Sequence, residues 1–291
     1  MTAMKKQTLA CWICTLLALC FSLRIAAGAD ESDEVITPTD APIVLFNGQD
    51  LSNFYTWLKD TKREDPRKVF TVTKEPDGTP VIRASGDGFG GIVTKNKYAN
   101  YRLVLEYRWG ELTWGERKMA AKDSGILLHC HGDDGNYNEG GGNAPWMASI
   151  ECQIIEGGVG DFLVLGGTDN DGTKQTTKLT CEVTKDRDGE TVWKKGGEKQ
   201  TFTSGRINWY GRDPDWKDVL GFRGKEDKDS PGQEWTTVEC ICDGGTITIL
   251  VNGTVVNHGE MAEPSSGKLL FQTEGAEIFF RKIELHPLKK E

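Results

Sequence analysis

The sequence lacks several patterns that mark common protein classes. It has no HExxH motif, and no CxxC pair occurs after residue 14, which argues against a zincin or zinc-ribbon site. No apolar run reaches the about 20 residues that a membrane-spanning helix needs, since the longest, at residues 9–23, is short and interrupted. No segment carries a sustained helical stripe, and no internal repeat is visible. We therefore expect neither a helical, nor a repeat, nor a membrane-spanning protein.

Positive charge is also scarce. The 35 lysine and arginine residues are outnumbered by 44 acidic ones, and the formal net charge is −9. Loss of a leader that carries Lys5, Lys6 and Arg24 would bring the charge to about −12. Such a surface repels phosphate backbones and anionic polysaccharides, so we expect no nucleic-acid partner. A neutral sugar remains compatible with this charge.

The N-terminus has the three parts of a secretory signal peptide. Lysines precede the apolar run, and small residues up to Ala29 form a cleavage site ahead of an acidic stretch. We predict a signal peptide at 1–29, a flexible leader at 30–41 and a single domain at 42–288. Cleavage near Ala29 would leave the protein in the periplasm or outside the cell.

Cysteine usage leaves two interpretations open. Five of the eight cysteines lie beyond the predicted signal peptide, and an odd number requires a free thiol or an intermolecular bond. They are either small buried apolar side chains, which we favour, or a disulfide framework. Residue alternation places Cys130 and Cys152 on the core side of their strands.

The rest of the chain reads as short strands separated by Gly, Asp and Asn turns, typical of a sandwich or jelly roll. Asn252-Gly253 between alternating segments predicts a hairpin. Residues 50–59 could form a turn or short helix, and 157–233 form a long polar insertion. The strands are predicted at 69–73, 81–84, 101–109, 125–131, 149–155, 235–243, 246–251, 254–257, 268–273 and 278–285.

Two of these strands carry the main candidate site residues. Glu151 and Gln153 share one face of the strand at 149–155, opposite three apolar residues. His129 and His131 share one face of the preceding predicted strand. If the two strands pair, the four polar side chains meet on one surface. That surface is either a sugar cleft, with Glu as acid or base, or an ordinary solvent-facing side of a sheet.

Further residues could extend such a cleft. Glu106 and Arg108 lie on the polar face of the strand at 101–109. Aromatic rings stack on the apolar faces of pyranose rings, although each ring could equally pack in the core. The aromatic candidates are Trp109, Trp146, Trp209 and Tyr210. No cofactor is predicted, but a divalent metal could bind among Asp123, His129, His131 and Glu151.

Motifs spread over nearly the whole domain carry a family resemblance. Ile-Val-Leu-Phe-Asn-Gly-Gln-Asp-Leu opens the domain at 43–51, and Asp-Ser-Gly-Ile follows at 123–126. The other matching segments are 101–109, 149–155, 160–162, 232–235, 251–253 and 267–285. In this order, over about residues 42–287, they resemble the 3-keto-disaccharide hydrolase family of the concanavalin A-like lectin/glucanase superfamily.

The resemblance implies a fold and an activity. The fold is an all-β, concanavalin-like jelly-roll sandwich of two curved antiparallel sheets, with a ligand groove on the concave sheet. The activity is cleavage of 3-keto-glucosides or 3-keto-disaccharides by an exported hydrolase. Within the family's pattern, the strand with Glu151 and Gln153 would lie in the groove.

The implied chemistry assigns roles to the candidates. A ketone at C3 acidifies the proton on C2, so a base can start an elimination that expels the C1 substituent, and water can then add back. We expect Glu151 or His129 as base or acid, Arg108 or His131 near the enolate oxygen, and Gln153 in substrate positioning.

Other functions stay open at this point. Conventional hydrolysis would need Glu151 and a second acid about 5–9 Å away, such as Glu106, Asp123 or Glu156. A non-catalytic, lectin-like carbohydrate-binding module would show a shallow aromatic platform. A structural β-sandwich would show no groove and an exposed apolar patch.

Overall fold

The computed structural model describes residues 33–137 and 144–289. The predicted signal peptide at 1–29 lies outside the described residues. The described chain is almost entirely β-structure, with one 3₁₀-helix at Gly115–Lys118. Its strands in chain order are β1 (Val35–Ile36), β2 (Ile43–Val44), β3 (Phe54–Leu58), β4 (Phe70–Lys74), β5 (Pro80–Ala84), β6 (Phe89–Thr94), β7 (Lys97–Tyr98), β8 (Tyr101–Thr113), β9 (Asp123–His131), β10 (Ala148–Ile155), β11 (Phe162–Leu165), β12 (Gly167–Thr168), β13 (Lys174–Gln175), β14 (Lys178–Lys185), β15 (Thr191–Trp193), β16 (Glu198–Phe202), β17 (Gly205–Ile207), β18 (Thr236–Asp243), β19 (Thr246–Val251), β20 (Thr254–Glu263), β21 (Lys268–Glu274) and β22 (Ala276–Pro287).

Two antiparallel sheets pack face to face. The smaller sheet has seven strands in the order β17-β11-β10-β9-β21-β6-β3. The larger sheet has eleven strands and follows the order β15-β14-β20-β19-β18-β8-β22-β5-β4, with β16 and β2 attached beside β14 and β22. This jelly-roll sandwich of curved antiparallel sheets confirms the predicted fold class.

The core lies between the two inner faces because apolar residues alternate along the strands of both sheets. From the larger sheet, Leu103, Leu105 and Tyr107 point inward, and from the smaller sheet Ile150 and Cys152 meet them. The intervening residues of each strand therefore point to the two outer faces. The candidate residues on β8 and β10 consequently lie on opposite sides of the sandwich.

Local turn chemistry accounts for the hairpins. Asn252 and Gly253 have φ angles of 46° and 78° in the turn between β19 and β20, as the predicted hairpin requires. Of the turn or short helix considered at residues 50–59, a turn is present at 52–53, but no helix forms because Phe54–Leu58 is β3 and pairs with β6. Phe54 and Leu58 are buried at the two ends of this strand, which forms one edge of the smaller sheet. No helix in the described part of the chain is long and apolar enough to span a bilayer.

The polar segment at 157–233 is built into both sheets. It supplies β11 and β17 at one edge of the smaller sheet, and β14 and β15 at one edge of the larger sheet. Its Trp209 is buried in the main core. The five described cysteines are all buried and free, which agrees with the interpretation as small core residues.

A β-bulge interrupts β9 and changes which face its last residues occupy. Leu128 pairs with Ile150, whereas His131 pairs with Ala148, so two residues of β9 stand opposite one residue of β10. His129, inside the bulge, has a φ of 56°. Beyond this point the alternation reverses, and Cys130 joins the outer-face cluster of the smaller sheet. The predicted core-side position of Cys130 is therefore wrong.

Candidate functional site

A cavity of about 200 Å³ opens on the outer face of the smaller sheet, and we call it the carboxyl cavity. Strands β9, β10 and β21 lie side by side there and present their outward polar residues to one space. Its lining consists of Arg117, Asp123, Tyr137, Trp146, Glu151, Gln153, Leu163, Leu165, Arg206, Gln272 and Glu274.

Glu151 occupies the centre of this arrangement. It is only 4% exposed and stands between Leu127 of β9 and Leu163 of β11. Burial, with a further contribution from the charge of Asp123, raises the pKa of Glu151 to about 8. Its carboxyl lies over Gly125, where an added Cβ would come within 2.2 Å of Glu151 Oε1. A side chain at position 125 would therefore displace this carboxyl.

Two further carboxyls share the cavity and one arginine. Asp123 and Glu274 are register partners on β9 and β21. Arg117 donates to Asp123 Oδ2, and its Nη2 lies 3.3 Å from Glu274 Oε1. Burial, and then the charge of Glu151, raises the pKa of Glu274 to about 7. Burial also raises the pKa of Asp123, with Glu274 adding to the effect and Arg117 opposing it.

A second arginine approaches from β17. Arg206 Nη1 lies 2.8 Å from Asp161 Oδ2, and its Nη2 lies 3.4 Å from Gln153 Oε1. Arg212 donates to the same Asp161 carboxylate, so this fully buried acid holds two guanidinium groups. Gln153 Nε2 in turn donates to Asp123. The positive charge of Arg206 lowers the pKa of Glu151 and opposes the effect of burial.

Aromatic side chains form one wall of the carboxyl cavity. Tyr137 and Trp146 pack against the apolar outer-face residues, including Leu163 and Leu165. This wall gives a sugar ring an apolar surface beside the polar carboxyls. Trp146, Glu151 and Gln153 are thus three predicted site residues that the structure brings together.

The two histidines do not join them. His129 is turned inward by the β9 bulge and meets Tyr101 of the larger sheet edge-to-face at 6.0 Å. Burial lowers the pKa of His129 to about 4. His131 lies in a separate cavity with Lys268, and its Nδ1 is 3.0 Å from the His129 carbonyl oxygen. The predicted surface shared by both histidines and Glu151 is wrong, because the bulge breaks the alternation.

Arg108 and Glu106 are far from the carboxyl cavity, on the outer face of the larger sheet. Arg108 pairs with Glu75 at 2.8 Å and lies over the Phe279 ring at 4.0 Å. Glu106 accepts a hydrogen bond from Arg281 at 2.6 Å. The roles predicted for them at a shared sugar cleft find no geometric support here, since the core separates the two outer faces.

The other predicted aromatics are also outside the cavity lining. Trp109 is buried in the core, where it meets Tyr107 edge-to-face at 5.7 Å. Trp209 is buried and packs against Tyr210, whose side chain is 43% exposed. Core packing therefore accounts for Trp109 and Trp209.

Four charged or amide residues of the cavity were missed by the sequence reasoning. Gln272 and Glu274 alternate with inward apolar residues on β21, and that period-2 signal could have identified them. Arg117 comes from the 3₁₀-helix and Arg206 from a short strand at the sheet edge. Nothing local in the sequence connects either arginine with Glu151.

A metal site receives no support from side-chain grouping. Within residues 33–137 and 144–289, no three His, Cys, Asp or Glu side chains are grouped so that they could hold a metal ion. Asp123 and Glu274 contact Arg117 instead. The divalent metal considered from the sequence remains an untested prediction.

Comparison with known proteins gives the family. Two solved structures of proposed glycosyl hydrolases from Parabacteroides distasonis are 18% and 14% identical to the chain. They cover 86% of it in each case and 94% and 100% of their own chains, with TM-scores of 0.46 and 0.44. A carbohydrate-binding module, CBM66 from Bacillus subtilis, is 8% identical over 86% of this chain and 98% of its own, with a TM-score of 0.37. No curated protein sequence matches the chain. The family model of the 3-keto-alpha-glucoside-1,2-lyase-like domain matches residues 41–286, and the chain belongs to this family.

Proposed function

We propose that the carboxyl cavity binds the 3-keto-glucosyl ring of a glycoside or disaccharide and cleaves its bond to the C1 substituent by elimination. The observation that supports this most is the grouping of Asp123, Glu151 and Glu274 in one cavity with raised pKa values. Carboxyls that titrate near neutrality suit proton transfer in both directions.

The elimination balances without an external oxidant or reductant. A base removes the proton from C2, which the C3 ketone has acidified. The electron pair of that C–H bond forms the C1=C2 double bond through the enolate, and the C1–O bond breaks. The leaving oxygen takes a proton from an acid, which gives an alcohol and a sugar enone. Addition of water across the new double bond then gives net hydrolysis.

Glu151 is the proposed acid. With a pKa of about 8 it holds its proton at neutral pH, so it can donate to the leaving oxygen. Its position in the centre of the cavity floor, under low exposure, lets it reach a bound ring without competition from bulk water.

Glu274 is the proposed base. Its pKa of about 7 keeps a large fraction ionised at neutral pH, and the nearby Arg117 favours the charged form. Two adjacent carboxyls whose pKa values differ can divide the acid and base roles between them. Burial makes Glu274 a stronger base than an exposed glutamate.

Arg206 and Arg117 are the proposed partners of the developing enolate. Both are cationic groups at the cavity wall, and each is anchored by a buried acid, Asp161 for one and Asp123 for the other. A fixed guanidinium stabilises an oxyanion without reorganising during the reaction. In this proposal they take the role that was predicted for Arg108 or His131 near the enolate oxygen.

The activity is tested by incubating the purified protein with 3-keto-trehalose and 3-keto-lactose beside trehalose and lactose. We expect release of the C1 substituent, and transient near-ultraviolet absorbance of the enone, from the 3-keto sugars alone. In D₂O, recovered substrate or product should carry deuterium at C2. Binding of these sugars without turnover would instead identify a carbohydrate-binding module, and neither binding nor turnover would reject the proposal.

The proposal includes export of the protein. The two-lysine start, the apolar run and the small residues before Asp30 support cleavage after Ala29. Mass spectrometry of the protein from its native host should find the mature N-terminus at Asp30. A cell-associated chain that keeps residues 1–29 would contradict this prediction.

A further inference from the structure

Gln272 is a buried amide of the carboxyl cavity with an unused acceptor. Its side chain comes from β21 and is only 1% exposed. The amide neighbours the Glu151 carboxyl and favours its charged form. Its Oε1 has no hydrogen-bond partner. A Cβ added at Gly125 would lie 2.6 Å from this oxygen, so the oxygen points into the same small space as Glu151.

Gln153 provides a direct comparison within the same cavity. It is the same residue type, it is 3% exposed, and it also lies on the outer face of the smaller sheet. Its Nε2 donates to Asp123 and, at 3.3 Å, to the Ser124 carbonyl oxygen, while its Oε1 accepts from Arg206. Gln153 is therefore saturated by the protein, whereas Gln272 keeps one acceptor free.

We infer that Gln272 Oε1 accepts a hydrogen bond from a hydroxyl group of the bound sugar, and so selects rings that carry this hydroxyl. The inference rests on the proposed function, because it takes the 3-keto-glucosyl ring as the ligand of the carboxyl cavity. A ring hydroxyl is the donor that such a ligand offers, since the C3 ketone can only accept.

The energetics of burial support a ligand role. A buried carbonyl oxygen without a donor is unfavourable, and proteins seldom leave such groups unpaired. A sugar that supplies the donor removes this cost on binding. A sugar that lacks it leaves the oxygen unpaired in the complex, which makes the discrimination larger than a hydrogen bond at an exposed position would.

The test is a double-mutant cycle between protein and substrate. The substrates are a 3-keto-glucoside and its 2-, 4- and 6-monodeoxy derivatives, and the measured quantity is kcat/KM. The main variant is Gln272→Met, which keeps the length of the side chain but removes the amide. Gln272→Asn is a second variant that keeps an amide but withdraws it by one methylene, and Gln153→Met is the matched control. Thermal unfolding checks that each variant is folded.

We expect one deoxy derivative to lose about 10- to 100-fold in kcat/KM with the wild-type protein and less than about 3-fold with Gln272→Met. Gln272→Asn should reduce the discrimination in the same direction. Gln153→Met should slow all substrates by a similar factor, because it disturbs Asp123 and Arg206 without freeing a ligand acceptor.

Two outcomes would overturn the inference, and they are distinguishable from failure of the proposed function. In the first, the wild-type protein turns over the parent substrate, but the loss of kcat/KM for every deoxy derivative is the same in Gln272→Met. Gln272 then binds no sugar hydroxyl. If Gln272→Met only shifts the pH dependence, the oxygen accepts the proton of Glu151 and not a sugar hydroxyl. Absence of any turnover of the parent substrate rejects the proposed function and the inference together.

Discussion

Charged side chains are arranged differently on the two outer faces of the sandwich. On the larger sheet, four arginines each pair with a different glutamate, at N–O distances of 2.5–2.8 Å. These pairs are Arg83 with Glu277, Arg102 with Glu239, Arg108 with Glu75 and Arg281 with Glu106.

On the smaller sheet, charge is grouped and not matched. Asp123, Glu151 and Glu274 crowd into one cavity, where Arg117 and Arg206 offset them incompletely. The result is raised pKa values near neutrality at Glu151 and Glu274. A paired surface charge stabilises a sheet slightly, whereas crowded buried carboxyls cost stability. Such a loss of stability is expected at a catalytic site, because proton transfer needs carboxyls with shifted pKa values.

The largest difference between the two outer faces is expected from a matched pair of substitutions, Glu151→Gln and Glu106→Gln. Both replace one glutamate on the outer face of a sheet by glutamine. We expect the first to lower kcat by about 10²–10⁴-fold, since it removes a proton donor, and the second to leave kcat unchanged. Assay of both variants on 3-keto-trehalose measures this. Equal effects of the two substitutions would remove Glu151 from the mechanism.

Gly125→Ala tests whether the space over β9 is used by the carboxyl. The new Cβ would meet Glu151 Oε1 at 2.2 Å and would displace the carboxyl. A displacement of about 1 Å in an acid or base can cost about 10²-fold in rate, so we expect kcat/KM to fall by about 10- to 100-fold. Gly245→Ala is the control, because its Cβ would have no contact closer than 3.3 Å. Wild-type activity of Gly125→Ala would contradict the proposed site.

The pH dependence should report the two assigned carboxyls. Activity requires ionised Glu274 and protonated Glu151, so kcat/KM should fall below about pH 7 and above about pH 8. The two limbs belong to the coupled group and not to single residues. Arg206→Gln removes a charge that lowers the pKa of Glu151, so the alkaline limb should move to higher pH. A single acidic limb near the ordinary glutamate pKa would contradict the assignment.

The sequence predicted those parts of the fold that depend on regular alternation. The hairpin at Asn252 and the inward faces of β8 and β10 follow from turn chemistry and period-2 patterns, and the structure confirms them. The strand Phe54–Leu58 was not predicted, because aromatic residues occupy both of its faces and obscure the period-2 pattern. Its pairing with β6 overrides the local turn signals.

The site was only half predictable for a related reason. Glu151 and Gln153 obey the alternation of a continuous strand, so their shared face could be inferred. His129 does not follow this alternation, because one extra residue in β9 reverses the faces of the residues beyond it. No local sequence pattern marks this bulge. Arg117 and Arg206 meet Glu151 only through the sheet topology, which joins segments 34 and 55 residues away. Alternation correctly predicts that Arg108 lies on the polar face of its strand. It does not predict which of the two sheets contains that strand.

Glu151→Gln should also change stability, with a sign set by pH. In the unfolded chain this glutamate ionises near its ordinary pKa of 4.5, and in the folded protein near 8. The native state therefore binds the extra proton, and stability is lost as the pH rises through this window. Glutamine carries no such penalty. The variant should be stabilised at pH 8, by at most about 4 kcal/mol, and much less at pH 4.5.

Thermal unfolding at pH 4.5 and pH 8 measures this difference. A rise in Tm of several degrees at pH 8 alone is the expected result. Glu106→Gln, on the outer face of the larger sheet, should show no such pH-dependent gain. A lower Tm for Glu151→Gln at pH 8 would mean that the carboxylate form is stabilised in the native state, which would oppose its role as the acid.

The smallest effect is expected where the sequence first placed a catalytic arginine. Arg108→Gln breaks an ion pair with Glu75 and a cation–π contact with Phe279. Such contacts near a surface contribute about 0.5–1 kcal/mol each, so Tm should fall by a few degrees. No change in kcat/KM on 3-keto-trehalose is expected, because the core lies between this face and the carboxyl cavity. A tenfold or greater loss of kcat/KM in a folded Arg108→Gln variant would restore Arg108 as a candidate and show that the two faces are not functionally separate.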